Sequence, residues 1–298
     1  MSGTELNVRE REQQLQKILS ARKVFVGGAP KSGTTWLQLI LNAHSNIVCQ
    51  GEGHLMDLLY PKVVKLLSEY SVFVRQHNKQ LFGDASEFPV IEGEQDRHFL
   101  FRLLSSALMA KYDLPDSLHV VGERCPDNAY HMSKLLAAFP DAKFIVIHRD
   151  CRDVVCSALH HSRRINNLDI EDPSLQMKST RELVKLWLNA VRFAGKFDEQ
   201  HPGRLLVLQY EQLLATPGEN VAAIYKFLDV DAGNETIAAA VEATSFQSVS
   251  GGRALGESSE GSHFRKGGSG DWQHSLKPEV VDYIVDKAGA VMQKLGYL

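Results

Sequence analysis

Four cysteines in 298 residues, at positions 49, 125, 151 and 156, are too few to frame a disulfide scaffold. Their spacing matches no zinc pattern, so buried free thiols in a reducing, cytoplasmic setting are expected. No run of eighteen or more apolar residues occurs, and no transmembrane helix is expected. Residues 1–22 are charged and polar and lack the apolar core of a signal peptide. Charge of either sign is not in excess: the formal net charge is −3, which advertises neither a nucleic-acid nor a membrane partner. Any anion site must therefore be a local concentration of basic groups.

What is present is an alternation of short apolar runs with amphipathic stretches. Residues 23–27, 47–50, 118–122, 143–148 and 205–208 read as strands. Helical patterns cover 6–20, 32–43, 54–77 (with a kink at Pro61), 95–111, 128–139, 150–161, 180–197, 217–228, 235–242 and 278–295. The run at 143–148 is apolar throughout, as a central parallel strand covered on both faces would be. Residues 250–270 hold seven glycines and little periodicity, and read as a long loop. No repeat or linker divides the chain. The expectation is one α/β domain over 1–298, a central parallel sheet flanked by helices, with an N-terminal helix within 1–22. Ligands of such sheets sit beyond the carboxyl ends of the strands.

Three segments at those ends carry anion-binding chemistry. Gly28-Ala-Pro-Lys-Ser-Gly-Thr-Thr-Trp36 follows a strand and opens a helix, a ready cradle for phosphate. It is not a Walker A loop, because Thr34 stands where that pattern needs lysine and the lysine here, Lys31, comes earlier. The second segment is Phe144 to Ser157, in which Arg149 ends a strand and Ser157 lies about two helical turns on. Arginine supplies a planar fork and serine a hydroxyl, both suited to phosphate; a surface pairing of Arg149 with Asp150 or Asp153 is the plainer alternative. The third is Phe264-Arg265-Lys266-Gly267-Gly268-Ser269-Gly270-Asp271-Trp272, where adjacent cations and glycines can wrap an anion.

Together these segments resemble the sulfotransferases that use 3′-phosphoadenosine-5′-phosphosulfate (PAPS). Pro30 to Trp36 is similar to that family's 5′-phosphosulfate loop, Arg149 and Ser157 to its 3′-phosphate motif, and 265–272 to its R-K-G-x-x-G-D-W element. The resemblance implies a P-loop-like sulfotransferase fold and transfer of a sulfuryl group from PAPS to a hydroxyl, releasing PAP, with no metal. It implies that Lys31, Ser32, Gly33, Thr34 and Thr35 hold the 5′-phosphosulfate and that Trp36 stacks on the adenine. Arg149, Ser157, Arg265, Lys266 and Gly267 would take the 3′-phosphate, with residues 250–270 covering the cofactor. Tyr210, before Glu211, resembles the tyrosine that faces the adenine, and Phe246 the aromatic on its other side.

The acceptor hydroxyl must lose a proton. The family's cytosolic small-molecule enzymes carry a histidine in a K-x-H-x-P element, and the corresponding residues 122–126 contain none. Counting from Lys31, the chain instead resembles the tyrosylprotein sulfotransferase subgroup, whose glutamate base falls on Glu52. His54 is the second candidate and Glu123 the third. The acceptor pocket is expected from 52–60, 77–97, 160–177 and 250–264, including Phe82, Phe88, His160, His161 and His263. A small-molecule hydroxyl is the favoured acceptor, and a homo-oligomer is compatible with the chain. A P-loop kinase of a small metabolite and a non-catalytic nucleotide-binding module remain as alternatives.

Overall fold

The computed structural model describes residues 7–83, 88–111, 114–166, 172–254, 257 and 266–298. Five parallel strands, β1 (Arg22–Gly28), β2 (Ile47–Gln50), β3 (Val120–Arg124), β4 (Lys143–His148) and β5 (Leu205–Gln209), form one sheet in the order β2-β3-β1-β4-β5. Each crossover contains helix, as a parallel connection requires. The chain thus adopts the α/β fold its pattern predicts. No described helix is long and apolar enough to cross a membrane.

The helices are α1 (Val8–Ser20), α2 (Thr34–Asn42), α3 (Tyr60–Phe82), α4 (Glu94–Met109), α5 (Asn128–Ala138), α6 (Cys151–Asn166) and α7 (Pro173–Gln200). After β5 come α8 (Tyr210–Ala215), α9 (Pro217–Phe227), α10 (Asn234–Ala243), α11 (Phe246–Val249), α12 (Trp272–Ser275) and α13 (Pro278–Lys294). Alternation along the strands feeds two cores. Phe25, Phe144 and Val146 face a cluster with Phe101, Phe139, Trp187 and Ile284, whereas Val24, Val26, Ile145 and Ile147 face Leu37, Ile40, Leu213 and Tyr225. The four cysteines are buried free thiols, as expected.

Three boundaries differ from expectation. Pro61 does not kink a helix: a π-helical turn, Leu55–Leu59, comes first, and Pro61 lies at the start of α3, where its missing N–H costs nothing. The helix expected from Thr180 starts at Pro173, because the Asp172 side chain accepts from the Ser174 N–H at 2.8 Å and caps it. The strand ending at Gln209 runs directly into α8, so Tyr210 is the first residue of a helix.

Candidate active site

The first turn beyond β1 is built to present a lysine. The Ser32 N–H donates to the Ala29 carbonyl at 3.1 Å, closing the turn, and Lys31 sits at φ 70°. A non-glycine residue held there costs on the order of 1–3 kcal/mol, which its surroundings must offset. Gly33 follows at φ 108°, and a Cβ on it would come within 2.7 Å of the Tyr210 ring. No side chain caps the N-terminus of α2, and its first two residues, Thr34 and Thr35, line the same cavity as Lys31. Burial, then the charges of Arg164 and Arg149, push the Lys31 ammonium down to about 8; Glu52 opposes this. Ser32 departs from expectation: its side chain is fully buried, its hydroxyl has no partner, and it does not line the cavity beside Lys31.

Arg149, one residue past β4, ties the turn to the glycine-rich loop. It donates to the Lys31 carbonyl at 3.3 Å and to the Gly268 carbonyl at 3.0 Å, while its Nε is buried without a partner. The Trp187 indole N–H holds the Arg149 carbonyl at 2.8 Å. The ion pairing of Arg149 with Asp150 or Asp153 is not formed. Asp150 instead binds Arg152 at 2.6 Å, and Asp153 accepts from the N–H groups of Gly270 at 2.6 Å and Trp272 at 3.2 Å. Asp153 is therefore the anchor of the glycine-rich loop. Lys266 lines the cavity with its ammonium on Asp271, and Ser157 lines it from α6. Arg265 lies outside the described residues, as does His263.

Aromatic groups form the opposite end of the same space. The Trp36 indole donates to the Thr244 carbonyl at 2.9 Å and meets Tyr210 edge-on, 5.6 Å between centroids. Tyr210 is 7% exposed, carries the Arg149 guanidinium 4.3 Å from its ring centroid, and donates its hydroxyl to the Gly267 carbonyl at 3.1 Å. One face of that ring is occupied, so Tyr210 acts as a keystone joining three segments more than as an open stacking platform. Gly267, at φ 70°, lies against Phe246; a Cβ there would come within 2.1 Å of the ring.

The candidate bases lie at the other end. Glu52 is bound by the Arg124 guanidinium, whose Nε is fixed by Gln38 at 3.1 Å. His54, at φ 48°, sets Nε2 3.7 Å from Glu52 and Nδ1 2.8 Å from Asp57. Glu123 is no base: it is 2% exposed and both oxygens are used, one by the Gly53 N–H at 2.8 Å and one by the Asn128 amide at 2.6 Å. Burial raises its pKa, and its place is to fix the turn that carries Glu52. His161 lines the cavity from α6; burial, then Lys31 and Arg164, push its pKa below the ordinary imidazole value.

One cavity of about 1270 Å³ connects Lys31, Trp36, Glu52, His54, Arg124, Arg149, Ser157, Tyr210, Phe246 and Gly267. Gly33, Thr34 and Thr35 line it as well. Among the described residues none of 77–97 borders it; Phe82 and Phe88 are exposed elsewhere, and of 160–177 only His161 takes part. The expected acceptor wall is corrected accordingly. The roles of Arg124 toward Glu52 and of Asp153 toward the glycine-rich loop went unread in the sequence, each acting across more than 70 residues. A metal-ligand constellation, not expected from cysteine spacing, also comes together from His54, Asp57, Cys125 and Asp127.

The profile of the sulfotransferase family matches residues 23–233. The chain belongs to the sulfotransferase family. Among curated relatives, it is 24% identical over 208 residues to protein-tyrosine sulfotransferase A of Caenorhabditis elegans, covering 70% of this chain and 50% of that protein. It is 26% identical over 208 residues to the protein-tyrosine sulfotransferase of Drosophila melanogaster, covering 70% and 38%. The chain thus spans half or less of these two relatives. Its fold is that of a mouse sulfotransferase crystallised in complex with PAP, with a TM-score of 0.56 at 17% identity over 96% of this chain and 94% of that one.

Proposed function

We propose that the cavity binds PAPS and that the protein transfers its sulfuryl group to an acceptor hydroxyl, leaving a sulfate ester, PAP and a proton. The observation that carries this reading is Arg149, whose two Nη atoms reach the Lys31 turn and the glycine-rich loop at once. A buried Nε without a partner and an uncapped helix N-terminus in one cavity suit a phosphorylated ligand. PAPS supplies the activated sulfuryl group when bound. Thr34, Thr35 and the start of α2 would hold its 5′ end, Arg149, Ser157 and Lys266 its 3′-phosphate, and Trp36 and Phe246 its base.

Lys31 is the charge at the departing phosphate oxygen. Its confinement by a strained turn places the ammonium before the reaction begins, which is where electrostatic catalysis has its effect. Glu52 takes the acceptor proton, and Arg124 holds one of its oxygens so that the other faces the cavity with His54. A carboxylate base suits a phenol, with a pKa of about 10, better than an aliphatic alcohol. That argument favours a phenol, and the names of the relatives favour a protein tyrosine over the small-molecule hydroxyl preferred from sequence. Transfer of label from PAPS to a tyrosine-containing peptide and to a small phenol tests both parts. No label on either acceptor, with ATP turned over instead, would select the kinase alternative.

A further inference from the structure

Beside Glu52, four side chains from two turns converge in a way that sulfuryl transfer does not require. His54 precedes the π-helical turn, Asp57 lies within it, and Cys125 and Asp127 flank Pro126 between β3 and α5. Their ligand atoms all lie within 4.8 Å of one another. His54 Nδ1 is 2.8 Å from Asp57 and 3.9 Å from the Cys125 sulfur. The backbone fixes both turns: the His54 carbonyl accepts from Leu58 and Leu59 at 3.2 and 3.0 Å, and the Cys125 N–H donates to Val26 at 3.1 Å.

We propose that these four residues bind a zinc-class divalent cation. Imidazole, thiolate and two carboxylates are the donor set that a borderline-soft, tetrahedral ion takes. Ligand atoms around such an ion lie roughly 3.3–3.8 Å apart for bonds of 2.0–2.3 Å. The cluster is thus within about 1.5 Å of closure at its widest, a distance that side-chain rotation covers. Charge points the same way. Among the described residues no lysine or arginine forms an ion pair with Asp57 or Asp127, although their oxygens lie within 4.8 Å of each other. Cys125 is 1% exposed, and an ion would displace its proton on binding.

The other cluster, Cys156, His160 and Asp271, has three members, and Asp271 already holds the Lys266 ammonium. It is the weaker candidate.

Coordination through Nδ1 leaves the proton of His54 on Nε2, the atom that faces Glu52 at 3.7 Å. The ion would then make His54 a fixed donor to the base and slow proton removal. This last step rests on the proposed function; the binding site does not.

Zinc binding is measured by calorimetry on the full, reduced chain, and cobalt supplies a thiolate charge-transfer band as the spectroscopic readout. The expected result is one ion per chain, a cobalt–thiolate band, and a loss of affinity above the ~100-fold that follows removal of an outer-shell partner when Cys125→Ser or Asp127→Asn is made. Asp57→Asn, at the surface, gives the same reading should a buried variant not fold. Cys156→Ala is expected to leave the affinity unchanged. Absence of the band, an affinity unchanged from the parent protein in both Cys125→Ser and Asp57→Asn, or loss in Cys156→Ala would overturn the site. Zinc bound at these residues is expected to lower turnover without altering PAP affinity; unchanged turnover would overturn the link to Glu52.

Discussion

The guanidinium of Arg149 rests 4.3 Å from the ring centroid of Tyr210, and the Tyr210 hydroxyl donates to the Gly267 carbonyl at 3.1 Å. Through this pair, the ends of β4 and β5 and the glycine-rich loop become one wall. Removing the hydroxyl alone should loosen that wall without emptying it. A hydrogen bond of this kind contributes about 0.5–1.5 kcal/mol, so Tyr210→Phe should weaken PAP binding by roughly 2- to 12-fold. Calorimetric titration of PAP measures it, and unchanged affinity would mean that the loop is held without Tyr210.

Gly267 tolerates no side chain. At φ 70°, with the Phe246 ring 2.1 Å from an added Cβ, alanine must shift either the loop or the aromatic. The left-handed backbone alone costs about 1–3 kcal/mol. Gly267→Ala should therefore lower PAP affinity by about tenfold or more, while the melting transition, set by the two cores, stays near that of the parent protein.

Lys31 should make nucleotide binding dependent on pH. In the free protein its pKa is lowered to about 8, with burial as the largest cause. A bound anion favours the charged form and raises that pKa, so binding takes up protons where the free lysine is partly neutral. PAP affinity should therefore fall as pH rises through about 8. Calorimetry in buffers of different ionisation enthalpy should detect proton uptake near pH 8, and Lys31→Met should abolish the uptake. A pH-independent affinity between 7 and 9 would argue that Lys31 does not meet the ligand.

Glu52→Gln should separate catalysis from binding. General-base loss costs about 10²- to 10⁴-fold in rate, and Glu52→Gln should lower turnover by that range while PAP affinity changes less than about twofold. Full turnover in Glu52→Gln would transfer the role to His54, the other candidate on the same turn.

Much of the site was legible because its segments are local. A strand end, a lysine in a glycine turn and a helix start occupy nine consecutive residues, 28–36, and Arg149 with its following helix occupies a similar stretch. The remaining contacts are not local. Asp153 reaches Gly270 across 117 residues, and Arg124 reaches Glu52 across 72, so neither leaves a periodic trace. Side-chain direction was equally hidden: Ser32 sits in the motif yet turns into the interior, and Glu123 lies within β3 and is spent on Gly53 and Asn128. The acceptor wall was expected in part from 77–97, yet Phe82 and Phe88 are exposed and do not line the cavity.

Trp187 links stability to the site. It is 1% exposed in the larger core and its indole N–H holds the Arg149 carbonyl. Trp187→Ala should cost about 3–5 kcal/mol, seen in denaturant unfolding. Trp187→Phe should keep most of that stability and still weaken PAP binding.

The most direct measurement is a paired calorimetric titration with PAP and with adenosine 5′-phosphate, on the parent protein and on Arg149→Ala. PAP should bind at least tenfold more tightly than the nucleotide lacking the 3′-phosphate, and Arg149→Ala should erase most of that difference. Equal affinity of the parent protein for the two nucleotides would contradict the assignment of this cavity to a 3′-phosphorylated adenosine.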